Sequence, residues 1–338
     1  MIIYPTLEKE ATIGVTAPSS GLNSDLHPLL HQAKERLEQA GYKVVLGETP
    51  WTQQKAKSAD AKVRAAEFND MMKRSDVDLI IPPWGGELLI EMLPFVDYSI
   101  EKPKWILGYS DISALLLATT LTTGMATAHG TCLIDLRGEE TDATTALWET
   151  VLYTTEDRSV LQHSSAQYQE KWDHKHPSPH VFHLTEKTEW KTVSRRAEKI
   201  KGRLLGGCVD VIRHLVGTPY GNVAAFKEKH IAGEPVIWYL ENCELNTADL
   251  RRSLVQMKLA GWFDGCAGIV FGRSAANEPV GGYTVEDVYQ DIAQELKIPV
   301  IYDIDCGHVP PQITFINGAW AEVEAAEGSG TVLQHFKP

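Results

Sequence analysis

Several features that would assign a class at once are missing from this chain. Its 338 residues include only five cysteines, Cys132, Cys208, Cys243, Cys266 and Cys306, and no two of them form a C-x-x-C pair. An odd, scattered set of thiols argues against a disulfide framework and a zinc knuckle, and it fits a reducing compartment. Positive charge is also scarce, with 32 Lys and Arg against 45 Asp and Glu and a net charge of −13. Such a balance draws in neither nucleic acid nor an anionic membrane, so neither is expected as a partner. No apolar run approaches the ~18 residues of a membrane span, and Met1 to Pro5 does not open a secretory signal, so the expected location is the cytoplasm. There is no G-x-x-x-x-G-K-[ST], no G-x-G-x-x-G opening a helix after the first strand, and no H-E-x-x-H. A nucleotide-phosphate loop and a metalloprotease helix are therefore unsupported, and no cofactor is expected.

What is present is a regular alternation. At ~150 residues per domain the length suggests two domains, each able to bury a core. Thr12 to Val15, Tyr42 to Gly47 and Val77 to Ile81 read as strands, separated by helical segments at Leu30 to Ala40 and Asp60 to Lys73. Strands alternating with helices predict an α/β fold with a parallel sheet covered on both faces. The polar stretch from 154 to 201 carries Tyr168, Trp172 and Trp190 together with His163, His174, His176, His180 and His183, and it reads as a connection with strands of its own. Its histidines suit a solvated surface better than a metal site, because no acidic ligands are interleaved at helical spacing. The expected organisation is an N-terminal α/β domain over 1–153, a connecting segment over 154–201 and a C-terminal α/β domain over 202–338. The second domain opens at Gly202-Arg203-Leu204-Leu205-Gly206-Gly207 and continues through apolar strands at Pro235 to Asn242, Gly268 to Arg273 and Pro299 to Asp303.

In parallel sheets ligands bind outside the carboxyl ends of the strands, so polar residues just past apolar runs are the candidates. Ser110 follows Trp105 to Gly108 and precedes a segment of helical length, which is the strand, turn and helix order of a nucleophile elbow. Serine is also the ordinary helix N-cap, and Gly-Tyr-Ser lacks the second glycine of G-x-S-x-G, so both readings stand. Glu241 ends the strand from Pro235, and His308 lies beyond the strand from Pro299. A serine needs a base, histidine has a suitable pKa of ~6.5, and a carboxylate can fix the imidazole tautomer. Alternatively, Glu241 is a solvated turn residue, and Asp303, Asp305, Cys306 and His308 sketch a metal site. His129, in an apolar setting, reads as a core histidine rather than a base. Gly85-Gly86 is either turn glycine or a backbone that offers an N–H to a substrate carbonyl. Trp172 and Trp190 are possible platforms for a planar ligand group.

At this point the chain resembles the LD-carboxypeptidase and microcin C immunity protein family of serine peptidases. Val15-Thr16-Ala17-Pro18-Ser19-Ser20 is similar to the family's opening motif and Gly108-Tyr109-Ser110-Asp111-Ile112-Ser113-Ala114-Leu115 to its nucleophile segment. Gly202 to Gly207, Leu240-Glu241-Asn242-Cys243-Glu244 and Gly307-His308 resemble the glycine, acid and base motifs. The resemblance implies a Ser110, His308 and Glu241 triad, with an oxyanion hole from Asp111 and the Gly85-Gly86 loop. It also implies no metal, a homodimer, and an amide substrate next to a free carboxylate. Pro82-Pro83-Trp84-Gly85-Gly86-Glu87 departs from the Gly-Gly-Tyr-Gly usual in murein-recycling enzymes. The long interval between Ser110 and Glu241 is closer to the immunity branch, whose aromatic residues in this region stack on the adenine of an aminoacyl nucleotide. An aminoacyl nucleotide is thus the expected substrate, with a murein peptide or a non-catalytic ligand-binding role as alternatives. Ser19 and Glu244 join Trp172 and Trp190 as candidate substrate contacts.

Overall fold

A computed structural model describes residues 1–170 and 181–338, so Trp172, His174, His176 and His180 lie outside the described residues. The first sheet has six strands in the spatial order Phe315–Asn317, Thr127–His129, Trp105–Gly108, Leu79–Ile80, Thr12–Val15 and Lys43–Leu46. All neighbours are parallel except Phe315–Asn317, which runs antiparallel to Thr127–His129. Thr12–Val15 and Trp105–Gly108 are buried at every position, which explains why they read as short continuous apolar runs and not as alternating ones. The helix Ile112–Thr123 packs against Trp105–Gly108 and Thr127–His129, is buried from Ile112 to Leu121, and ends at Gly124 in the left-handed conformation.

The second sheet has eight strands, in the order Ser159–His163, Ser329–His335, Trp320–Ala326, Glu198–Cys208, Val236–Glu241, Cys266–Gly272, Val300–Ile304 and Lys191–Thr192. Its middle is parallel, from Arg203 onward through Val300–Ile304, and its flanks are antiparallel. The mixed character matches the sequence: Val236–Glu241 is buried throughout, whereas Trp320–Ala326 alternates between buried and open positions, as a one-sided antiparallel strand should.

Three details differ from the expected layout. Gly202 to Gly207, where the second domain is expected to open, lies inside the 11-residue strand Glu198–Cys208, which starts four residues earlier. The polar half of that strand pairs with Trp320–Ala326 and its apolar half with Val236–Glu241. The 154–201 segment contributes Ser159–His163 and Lys191–Thr192 to the second sheet. Conversely, Phe315–Asn317, from the 202–338 segment, completes the first sheet. Among the described residues, no helix is long and apolar enough to cross a membrane.

Asn317 binds the two sheets together. Its Oδ1 accepts from the Gly206 N–H at 3.0 Å and the Tyr239 hydroxyl at 2.8 Å, both in the second sheet, while its Nδ2 donates to Thr127 Oγ1 at 3.2 Å in the first. The side chain is fully buried, so deleting it strands polar groups that water cannot reach. Asn317→Ala should cost about 2–3 kcal/mol in a urea titration; an unchanged midpoint would mean that the sheets are held by apolar packing alone.

Candidate active site

Ser110 sits where the first sheet ends and the long apolar helix begins. Its backbone is left-handed, with φ 63°, in a residue that is not glycine. That strain is what a sharp strand-to-helix elbow imposes. The helix starts at Ile112 with Asp111 at the cap position, so Ser110 is not the N-cap. Asp111 does not cap with its side chain either: the buried carboxylate accepts from Ser19 Oγ at 2.5 Å and from the Leu89 N–H at 2.8 Å.

The second sheet supplies the partners. Glu241 is the last residue of Val236–Glu241 and is completely buried. His308 follows Val300–Ile304 on a turn secured by Asp305, which is buried and accepts from Arg273 at 2.7 Å and from the Trp190 indole N–H at 2.8 Å. Between them Gly307 has φ 93°, and a Cβ there would fall 2.5 Å from Glu241 Oε2, so only glycine lets the imidazole close on the carboxylate. The outcome is a continuous chain: His308 Nδ1 to Glu241 Oε2 is 2.8 Å, and His308 Nε2 to Ser110 Oγ is 2.9 Å. The edge of the Tyr109 ring packs against the imidazole at a centroid distance of 5.2 Å.

Burial would strip the charge from both members of the His308 and Glu241 pair, yet each charge overrides the penalty on the other. Glu241 stays below the ordinary carboxylate range because His308 faces it. For His308, the Glu241 charge and a hydrogen bond with Cys243 outweigh burial and hold the pKa well above 6.5. His129 is the opposite case. Buried against Tyr239 with both ring nitrogens unpartnered, it is pushed down to about 4 by desolvation and stays neutral, as a core histidine does.

Gly85 backs onto the serine. A Cβ on Gly85 would lie 2.6 Å from Ser110 Oγ and 3.2 Å from the Asp111 nitrogen, which puts this loop's backbone beside both. In front of the serine opens a cleft of about 570 Å³, lined by Ser20, Gln53, Trp84, Tyr109, Ile134 and Asp135 together with Gly85, Gly86, Ser110 and His308. The sequence pointed to none of those first six as contacts; they come from loops and short turns that carry no periodic signal.

Two of the candidate contacts are placed elsewhere. Ser19 is fully buried, and its hydroxyl is committed to Asp111, so its neighbour Ser20 is the one that reaches the cleft. Trp190 is a wall of the second sheet, 3% exposed and bonded to Asp305, and not a stacking platform. Glu244 is exposed, its N–H held by Asp210 Oδ1 at 2.8 Å, and its charge adds to the desolvation that raises the pKa of Glu87. The grouping of Asp303, Asp305, Cys306 and His308 disperses: Asp303 pairs with Lys191, Asp305 with Arg273, and His308 with Glu241. Among the described residues, Cys208, Glu241 and His308 do bring three potential metal-ligand atoms within 4.8 Å of one another. Burial pushes the Cys208 thiol far up, however, so the group suits a hydrogen-bonded relay better than a thiolate site.

Comparison with known proteins gives the family. Residues 13–130 match the model of the LD-carboxypeptidase N-terminal domain and residues 201–323 that of the C-terminal domain. The chain belongs to the LD-carboxypeptidase family. Among relatives, it is 26% identical to the microcin C7 self-immunity protein of Escherichia coli, over 98% of this chain and 97% of that one. It is 24% identical to a probable murein peptide carboxypeptidase of Bacillus subtilis, over 96% of this chain and 92% of that one. Among solved structures, the microcin C7 self-immunity protein in complex with aspartyl sulfamoyl adenosine superposes with a TM-score of 0.82 at 22% identity, covering 100% of both chains, which shows a shared fold. Relatives named as carboxypeptidases make this LD-carboxypeptidase family member a hydrolase of the same broad kind.

The charge pattern of the pair has a direct readout. In an NMR titration the His308 ring should gain its proton well above pH 6.5 and His129 only near pH 4. Glu241→Gln removes the charge that raises His308 and leaves the burial that lowers it, so its titration should move to lower pH. A His308 pKa indifferent to that substitution would show that the pair is not coupled.

Proposed function

We propose that this protein is a serine peptidase or amidase that cleaves an amide next to a free carboxylate, with Ser110 as nucleophile, His308 as base and Glu241 as orienting acid. The observation that carries this reading is the unbroken hydrogen-bond chain from Ser110 through His308 to Glu241. His308 Nε2 takes the hydroxyl proton as Ser110 Oγ bonds to the carbonyl carbon, and the negative oxygen faces the Asp111 N–H and the Gly85-Gly86 backbone. The tetrahedral adduct collapses, and the leaving nitrogen departs with the proton held by His308. Water, deprotonated by the same imidazole, then attacks the acyl-Ser110 ester and frees the acid and the serine. Throughout, Glu241 keeps the imidazole in the required tautomer and stabilises the imidazolium. No step calls on a metal, so a strong chelator should leave turnover intact.

The substrate we favour is an aminoacyl nucleotide. Two facts support it: the self-immunity relative matches nearly end to end, and it has been solved with aspartyl sulfamoyl adenosine. The Bacillus subtilis relative, almost as similar, supports a murein tetrapeptide as the second reading. A homodimer and a cytoplasmic location complete the proposal, the first open to sedimentation analysis.

Mass spectrometry after separate incubation with aspartyl sulfamoyl adenosine and with a murein tetrapeptide decides between the two substrates, and loss of neither contradicts both. Ser110→Ala should lower turnover on the order of 10⁴-fold, because the three residues act as a unit. Full activity in that variant would instead support a ligand-binding protein. His308 must be neutral to act as base while its pKa is raised, so kcat/KM should climb with pH and its acid limb should lie above pH 6.5.

A further inference from the structure

One buried carboxylate in the cleft is left over from the mechanism. Asp135 lies on the short turn Leu133–Leu136, lines the same cleft as Ser110 and His308, and is only 8% exposed. Its Oδ2 is buried without a hydrogen-bond partner, and none of the described ion pairs includes it. The Tyr109 hydroxyl and the Cys132 backbone bond the carboxylate and Arg137 acts on it through its charge, but nothing reaches Oδ2. Leu26, Leu29, Trp84 and Ile134 form apolar walls, and among the described lining residues there is no Lys or Arg and no second carboxylate. Arg137, two residues on, instead donates to the Ile134 carbonyl at 2.7 Å.

A carboxylate taken out of water with no ion pair and one oxygen unbonded is costly, and such a group is retained where something else completes it. Burial pushes its pKa up to about 6, while Arg137, the Tyr109 hydroxyl, the Cys132 backbone and His308 pull the other way. Near neutral pH the group is therefore mostly ionised and is an acceptor only. Its natural complement is a cation with N–H donors, small enough to enter a cleft whose floor is Ser110.

We infer that Asp135 selects the substrate of this cleft, accepting an ion-paired hydrogen bond from an ammonium group that the substrate carries. This rests on the proposed hydrolase reading and specifies its substrate class: an acyl compound with a free amine, either the α-ammonium or the ammonium of a basic side chain. Trp84 and Ile134 would then cover the apolar part, and Asp135 would read the charge.

Two matched pairs of compounds test this with the unmodified protein. Aspartyl sulfamoyl adenosine and its des-amino counterpart, succinyl sulfamoyl adenosine, differ only in the α-ammonium. The lysyl compound and its norleucyl counterpart differ only in the side-chain ammonium. In at least one pair kcat/KM should favour the amine-bearing member on the order of 100-fold, the cost of leaving a buried charge unpaired, and the pair that responds identifies which ammonium is read. Asp135→Asn should bring that ratio to within a few-fold of one while still hydrolysing the amine-free member, which also shows that the variant folds. Should that variant not fold, Asp135→Ser is judged by the same ratio. Equal rates within both pairs in the wild-type protein, or a preference that survives in the variant, would overturn the inference and leave the hydrolase reading standing. Hydrolysis of none of the four compounds, with the murein tetrapeptide also untouched, would overturn both.

Discussion

The buried contact between His308 and Glu241 is the constraint around which the site is arranged. A carboxylate with no exposed surface is unfavourable alone, and an imidazolium beside it is unfavourable alone. Together they hold each other's charge, at the cost of a very close approach of two strand ends. Gly307 supplies that approach from the histidine side, and Gly272, whose Cβ would lie 3.1 Å from Glu241 Cβ, supplies it from the neighbouring strand. Asp305 fixes the turn from below through Arg273 and Trp190. The polar network beneath the pair thus keeps the imidazole aimed outward, toward a serine that belongs to the other sheet.

Because the serine and its partners come from different sheets, registration between the sheets bears on the proposed function as well as on the structure. Asn317 bonds across the seam to Thr127, Gly206 and Tyr239. Close by, Ser113, one turn into the helix after the serine, accepts from the Cys208 N–H at 3.0 Å. Gly207 has no Cβ to collide with Ser113 there. The elbow is held from the other side by Asp111, whose carboxylate ties the opening loop at Ser19 and the Gly85 loop's continuation at Leu89 to the helix start. A strained φ at Ser110 persists because its surroundings are fixed on both flanks.

Much of this was legible in the sequence, for a physical reason. Strands buried on both faces must be apolar throughout, so a polar residue at the end of such a run stands out, and Ser110, Glu241 and His308 all do. What stayed hidden depends on contacts between distant positions. Trp190 read as a stacking platform because its partner, Asp305, is 115 residues away. Ser19 read as a substrate contact because its bond to Asp111 spans 92 positions. The strand Phe315–Asn317 is too short to show a period, and it crosses to the sheet of the other segment. Asp135, on a turn of four residues, offers neither periodicity nor a motif. The family pattern carried the catalytic motifs in order, whereas the walls of the cleft belong to loops that pattern reading does not reach.

The central claim is that the relay makes one serine hydroxyl, Ser110, nucleophilic. Labelling the intact protein with a fluorophosphonate, then mapping the modified peptide by mass spectrometry, tests it without assuming a substrate. The account predicts one adduct per chain, on Ser110, forming faster as the pH is raised through the His308 pKa and strongly slowed in Glu241→Gln. Labelling at another residue, or labelling of Ser110 at the same rate without the Glu241 charge, would contradict it.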